Sequence, residues 1–347
     1  VDVTWVAGGR TGELTRKITA HAKKFSGMEA MMHLCLTNMR VDDLRRALLA
    51  AKADGIRNIL ALRGDPAPGQ DKWAPCEGGL AHAVDLVRFI KEEFGDHFCV
   101  GVAGYPEGHV DAESYDADVR HLADKVAAGA DFVLTQFFYD TSVFAKYVRD
   151  ARALGVAVPI IPGIMPIQSY SNFDKMTKYF GMKVPPELAA ALIPIRGDDE
   201  AVKEFGIRLG MQMAEELVEA GAVGLHFYTM NLETVVKGIV TGCGLCDASK
   251  RRYPWRQFSE EGREHESVRP IYWANRPRSY LSRTATWDEY PNGRWGDARS
   301  PAYGEISESH FYAVAVGSVA ERRVAWGEAP LTHDDVYSVF VRYIKGE

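Results

Sequence analysis

Short apolar runs alternate with longer amphipathic stretches from residue 1 to about residue 240. The runs are "VDVTWV" (1–6), "MMHLCL" (31–36), "NILAL" (58–62), "FCVGVAG" (98–104), "DFVLTQFF" (131–138), "PIIPGI" (159–164) and "VGLHFY" (223–228). Each has the length and bounding turn residues of a buried strand. The stretches between them read as helices. In "VDDLRRALLAAKADG" (41–55), Val41, Leu44, Leu48 and Leu49 recur at helical spacing, and Gly55 stands where a helix stops. "YDADVRHLADKVAAGA" (115–130) repeats the pattern.

Strand–helix alternation predicts parallel strands covered by helices. Two architectures fit: a doubly wound sheet and a (β/α)8 barrel. A doubly wound dinucleotide fold calls for a G-x-G-x-x-G turn after its first strand. The nearest stretch, "AGGRTGE" (7–13), lacks that spacing. A barrel instead places polar or aromatic residues at the C-terminal end of strand after strand. That pattern is present: Thr4, His33, Arg63 with Asp65, Tyr105, Gln136, Gln168 with Tyr170, and Tyr228. The third run carries it most sharply, passing straight from apolar residues into a cation, a glycine and an anion in "LALRGDP" (60–66). A solvated turn would explain that segment alone, but not its recurrence. The fold class is α/β, a (β/α)8 TIM barrel. Seven strands are counted, so the remaining one is expected upstream of Val1.

The character of the chain changes near residue 247. "DASKRRYPWRQFSEEGREHESVRP" (247–270) is charged and irregular. Aromatic, Gly- and Pro-rich segments follow, with a strand pattern at 310–316 and a helix pattern at 333–344. The domains are therefore read as 1–246 (barrel), 247–280 (linker) and 281–347 (the start of a second, α+β domain). A net charge of −6 argues against a nucleic-acid or membrane-surface binder, which needs a basic face. No apolar run approaches the roughly 20 residues that span a bilayer. The five cysteines are scattered, as in a reducing compartment, which predicts a cytoplasmic location. Cys243 and Cys246 form a single C-x-x-C without a second ligand pair, so no metal site is read.

"VDVTW", "HLCLTNM", "LALRGDP", "VAGYPEGH", "TQFFY", "PGIMPIQSY" and "LHFYTMN" occur in order, each at a strand end. Together they resemble the 5,10-methylenetetrahydrofolate reductase family. "VRPIYWANRPRSY" and "WDEYPNGRWGDARSPAYGE" resemble the linker and regulatory-domain entry of its eukaryotic form. The resemblance implies non-covalent FAD at the barrel mouth and NADPH or NADH as hydride donor, with NADPH the default. The hydride passes through flavin N5 to methylenetetrahydrofolate in ping-pong order. It also implies inhibition by S-adenosylmethionine and a homodimer.

Residue by residue, the resemblance assigns Asp65 as catalytic, stabilising the iminium cation of the opening methylene bridge and tuning the flavin. It assigns Thr4, Trp5, His33, Arg63, Gly64, Asp65, His82, Ala83, Tyr105, His109, Asp118 and Lys125 to the cofactor. Gln136, Tyr170 and Tyr228 go to the substrate; an amide such as Gln136 offers the donor and acceptor that a pterin edge needs. Asp118 and Lys125 are seven apart and share one helix face. Two positions depart from the family pattern: His82 replaces a phenol, and Leu232 replaces an arginine that would meet the folate. The family's general-acid glutamate belongs to the strand expected upstream. Two alternatives stand beside this reading: another FAD-dependent barrel oxidoreductase, proline-dehydrogenase-like, and a non-catalytic folate- or flavin-binding subunit.

Overall fold

The computed structural model describes residues 1–5, 12–26, 28–67, 69, 70, 72–230, 232–246, 338 and 341. Seven strands form one parallel sheet: β1 (Asp2–Val3), β2 (Met31–Cys35), β3 (Asn58–Leu62), β4 (Cys99–Gly104), β5 (Phe132–Phe137), β6 (Ile160–Ile164) and β7 (His226–Phe227). Their order in the sheet is their order in the chain. Parallel neighbours need a crossover, and helices supply it. They are α1 (Gly12–Ser26), α2 (Val41–Ala53), α3 (Ala83–Phe94), α4 (Tyr115–Ala127) and α5 (Thr141–Ala153). The β6–β7 crossover holds three, α6 (Tyr170–Tyr179), α7 (Pro186–Leu192) and α8 (Asp199–Glu219); α9 (Thr234–Gly242) follows β7. This is the (β/α)8 architecture read from the sequence, with seven of its strands in view.

Two apolar layers hold it. The larger lies between sheet and helices and includes Leu34, Ile59, Val100, Val102, Val133 and Phe137, all essentially inaccessible. The smaller fills the concave side of the sheet, where Met31, Leu60 and Leu134 meet Leu62, Phe132 and Ile161. Gly101 belongs to this inner layer. A Cβ there would come within 2.5 Å of the Phe132 ring, so the glycine makes room for a neighbour's aromatic side chain. The helices end as their sequences indicate. Ser114 caps α4 by accepting the Ala117 N–H, and Asp140 caps α5 by accepting the Ser142 N–H. Gly55, at φ +77°, terminates α2.

One helical assignment is corrected. Leu49 does not share the buried face of α2, being 52% exposed, while Ala51 is fully buried beside Leu44 and Leu48. A spacing of i, i+4, i+7 fits the stripe, whereas Leu49 lies a full 100° beyond Leu48. The terminal strands are also shorter than their apolar runs, two residues each. The expected linker at 247–280 and second domain at 281–347 lie outside the described residues, apart from isolated helical positions 338 and 341.

Candidate functional site

The C-terminal ends of the strands and the loops after them carry the predicted residues. The turn after β3 is tied to β2 by backbone bonds: the Leu36 N–H donates to the carbonyls of Leu62 and Arg63. Thr37 completes the joint, donating its hydroxyl to the Asp65 carbonyl at 2.7 Å and accepting the Trp73 indole N–H at 3.0 Å. Gly64 occupies the left-handed region at φ +87°. A Cβ there would lie 2.6 Å from Thr37 Oγ1 and 3.0 Å from Cys35 Cβ. Only glycine meets both demands. The exposed Asp65 carries a charge felt by three neighbours. After burial, it helps push the Cys35 thiol up to about 12, and it raises the Tyr105 and Tyr179 phenols.

Arg63 is held in place. Its guanidinium bonds to Asp111 at 2.6 Å and lies over the Trp73 ring, 5.4 Å from the centroid. Asp111 is 48 residues away in sequence, on the loop after β4. The same loop brings His109, whose Nδ1 accepts the Asp111 backbone N–H at 3.0 Å. His109 stands edge-on to Tyr105 with ring centroids 4.5 Å apart. Burial, then the nearby Arg63, keeps the His109 imidazole below its usual pKa. Tyr105 is anchored from behind: its backbone N–H donates to the hydroxyl of fully buried Tyr147 on α5.

Helix α4 presents Asp118 and Lys125 to this cluster, both buried, as their spacing predicts. Lys125 Nζ donates to the Ala103 carbonyl at 2.6 Å and lies 5.8 Å from the Tyr105 centroid. Burial, only partly offset by Asp118, lowers its ammonium to about 8. Burial likewise raises Asp118, against the pull of Lys125 and His109.

The remaining positions are spread round the mouth. On β7's end, Tyr228 donates its hydroxyl to the Thr135 carbonyl at 3.0 Å, with its ring 6.0 Å from Phe137. Gln136 sits in a break of register: β5 and β6 pair regularly at Leu134, then resume out of step at Phe137. Thr135 Oγ1 takes the Gly163 N–H at 2.9 Å within that irregularity. Bulges of this kind re-aim a side chain at a sheet's end. Half-buried Tyr170 opens α6 and lines a pocket of about 470 Å³ with Phe173, Lys178 and Met182. Leu232 is buried, and its carbonyl accepts the Gln168 amide at 3.4 Å, as does that of Thr229.

Other candidates lie apart from the Arg63–Tyr105–Lys125 cluster. Trp5 is buried with its indole over Gly12, where a Cβ would be 2.2 Å from the ring. Exposed Thr4 accepts the Thr15 hydroxyl on its carbonyl at 2.8 Å. His33 faces Asp2 inside the sheet's concavity. His82 caps α3 at the surface, its side chain 73% exposed and 3.6 Å from Asp85, and Ala83 is the first helical residue. Asp111, Thr37 and Trp73 were not singled out from sequence. Their roles depend on loops that meet only in the fold.

The residues fit a dinucleotide bearing a diphosphate and hydroxyls. Arg63 and Lys125 are cations suited to phosphate, and Asp118 is an acceptor for hydroxyls. Buried Trp5 Nε1 and His33 Nε2 also have no hydrogen-bond partner among the described residues. No cluster of metal ligands occurs among the described residues.

The sequence model of the family described as "Methylenetetrahydrofolate reductase" matches residues 1–244, and "MTHFR, SAM-binding regulatory domain" matches residues 250–347. A rice protein named "Probable methylenetetrahydrofolate reductase (NADH)" is 44% identical over 357 aligned residues, covering 100% of this chain and 60% of that protein. An Arabidopsis thaliana protein, "Methylenetetrahydrofolate reductase (NADH) 1", is 47% identical over 321, covering 89% of this chain and 54% of its own. In Caenorhabditis elegans, "Probable methylenetetrahydrofolate reductase (NADPH)" is 39% identical over 353, covering 99% and 53%. The chain thus spans little more than half the length of these relatives. With a family match across the whole described barrel, and with this chain aligned along its length to such relatives, the chain belongs to the methylenetetrahydrofolate reductase family.

Proposed function

We propose that this protein takes part in the reduction of 5,10-methylenetetrahydrofolate to 5-methyltetrahydrofolate at the expense of NADH or NADPH. The observation that carries this reading is the family match over residues 1–244, which contains every candidate site residue. Family membership sets aside the proline-dehydrogenase-like alternative. A non-catalytic binding subunit is separated from an enzyme by turnover alone.

FAD is the cofactor that the cluster suits. Bound there, it supplies a two-electron carrier that accepts hydride from the nicotinamide and delivers it to the folate's one-carbon unit. Lys125 and Arg63 would balance its diphosphate, and Asp118 would accept from its hydroxyls. Tyr105 and His109 would pack against it, with Thr4, Trp5 and His33 on the β1–β2 side. His82 and Ala83 form the outermost part of this proposal. Asp65, at the strand end, offers a carboxylate where positive charge develops on the opening folate. Gln136 would read the pterin edge, and Tyr170 and Tyr228 would pack against the ring systems. One mouth serving both substrates in turn gives ping-pong kinetics.

S-adenosylmethionine is proposed as an inhibitor acting through residues 250–347, by the name of the family model that matches them. A homodimer and a cytoplasmic location complete the proposal. No described helix is long and apolar enough to cross a membrane. The reading is tested by following methyltetrahydrofolate formation with either nicotinamide donor. The Asp65→Asn variant is expected to retain FAD and lose about 10²- to 10³-fold in folate reduction, the magnitude of one lost electrostatic partner. Unchanged turnover in that variant removes Asp65 from the chemistry.

A further inference from the structure

The concave side of the sheet holds a second ionisable cluster. Asp2 on β1, His33 on β2 and His226 on β7 converge on one carboxylate oxygen. Asp2 Oδ2 lies 3.9 Å from His33 Nε2 and 3.5 Å from His226 Nδ1. The three side chains are only 15% to 21% exposed. Asp2 Oδ2 and His33 Nε2 are fully screened from solvent, yet neither has a hydrogen-bond partner within bonding distance among the described residues. Two buried, unpartnered polar atoms that face each other make a pairing built into the fold, not a chance approach at a surface.

The cluster reaches the mouth by two routes. His33 is itself a flavin candidate. The His226 ring stands edge-on to Tyr228, centroids 4.9 Å apart, and Tyr228 is fixed through its hydroxyl to the Thr135 carbonyl. One carboxylate therefore touches, through one imidazole each, the strand assigned to the flavin and the strand assigned to the folate. We infer that Asp2 is a positioning residue for both half-sites: its carboxylate holds His33 by Nε2 and His226 by Nδ1, fixing which nitrogen of each ring carries the proton and how β2 and β7 present His33 and Tyr228. The consequence for flavin and folate rests on the function proposed above; the pairing itself does not.

The electrostatics agree. Burial disfavours the Asp2 carboxylate, but His33 and His226 more than offset it, and its pKa lies below the ordinary value. Burial lowers His226, Asp2 raises it, and His33 lowers it again. The Tyr228 phenol also feels the Asp2 charge. Two imidazolium ions on one carboxylate would repel, so the two rings share a single counter-charge.

The test is ring-nitrogen NMR of the full chain labelled with ¹⁵N-histidine, without flavin, with signals assigned through the His33→Gln and His226→Gln variants. In the neutral rings the proton is expected on Nδ1 of His226 and on Nε2 of His33. Asp2→Asn is expected to lower the His226 titration midpoint by about one pH unit and to move the Tyr228 ring signals, while Asp2→Glu retains most of the wild-type midpoint. It is also expected to weaken FAD binding about three- to tenfold, the value of one hydrogen bond. An Nε2–H tautomer at wild-type His226, or a midpoint unmoved in Asp2→Asn, overturns the pairing. The expected tautomers with unmoved Tyr228 signals overturn the positioning role. Should Asp2→Asn fail to fold, the wild-type tautomers decide. Failure to bind FAD at all would count against the proposed function and leave the histidine result standing on its own.

Discussion

At the scale of single residues, Gly64 and Lys125 show two ways in which a site constrains its own stability. Gly64 combines a left-handed backbone with a contact that excludes a Cβ. Gly64→Ala is expected to cost about 1–3 kcal/mol in denaturant unfolding and to weaken FAD binding, because the Thr37 joint must shift. A fully stable variant would show that the turn can relax. Lys125 is buried as an ammonium with its pKa lowered to about 8, against 10.5 in the free side chain. Between those values the unfolded chain binds more protons than the native one, so stability rises with pH across that window. Relative to Lys125→Met, the wild type should therefore gain up to about 3 kcal/mol between pH 8 and 10.5, at 1.36 kcal/mol per unit. A difference that stays constant over that range would place the ammonium in a solvated setting. A cation kept at such a cost suits an anionic ligand that repays it on binding.

At the scale of elements, the loops after β3 and β4 form one unit. Arg63–Asp111 and the Tyr105–His109 ring contact lock them together, and Tyr147 supports Tyr105 from α5. Tyr147→Phe leaves the partly buried Tyr105 N–H without its acceptor. A loss of about 1–2 kcal/mol in unfolding free energy is expected, with FAD affinity falling in parallel; an unaffected affinity would detach Tyr105 from the flavin site. The strands and their chemistry-bearing ends were legible because apolar runs and turn residues are local signals. So was the shared face of Asp118 and Lys125, which the helical repeat dictates. The placement of Gln136 was not, since a register shift between β5 and β6 depends on how Thr135 meets Gly163 across strands. Nor were Asp111 and Trp73, which meet Arg63 only after long loops close. Leu49 misled because it adjoins Leu48 in sequence while pointing a different way round the helix.

At the scale of the whole molecule, a parallel sheet of seven strands in chain order sets the candidate residues at the ends of successive strands. No single segment could assemble the dinucleotide and folate sites proposed here; a barrel can, by setting strand ends side by side. The two family models match successive parts, residues 1–244 and 250–347, so the proposed catalysis and the proposed regulation would fall to different parts of the chain. S-adenosylmethionine is accordingly expected to lower turnover of the full-length protein without displacing FAD, as read by assay and flavin absorbance together. Turnover that ignores it would leave residues 250–347 without that role.

The most direct measurement is an anaerobic titration of the full-length protein, with the strand expected upstream of Val1 included, with NADH and NADPH, followed by methylenetetrahydrofolate, watching the flavin's visible absorption. Bleaching by one of the donors and recovery on adding the folate is the expected result, with both half-reactions at one mouth. A protein that takes up no FAD, or whose flavin bleaches and is not reoxidised by the folate, would contradict a methylenetetrahydrofolate reductase working through the Arg63–Tyr105–Lys125 cluster.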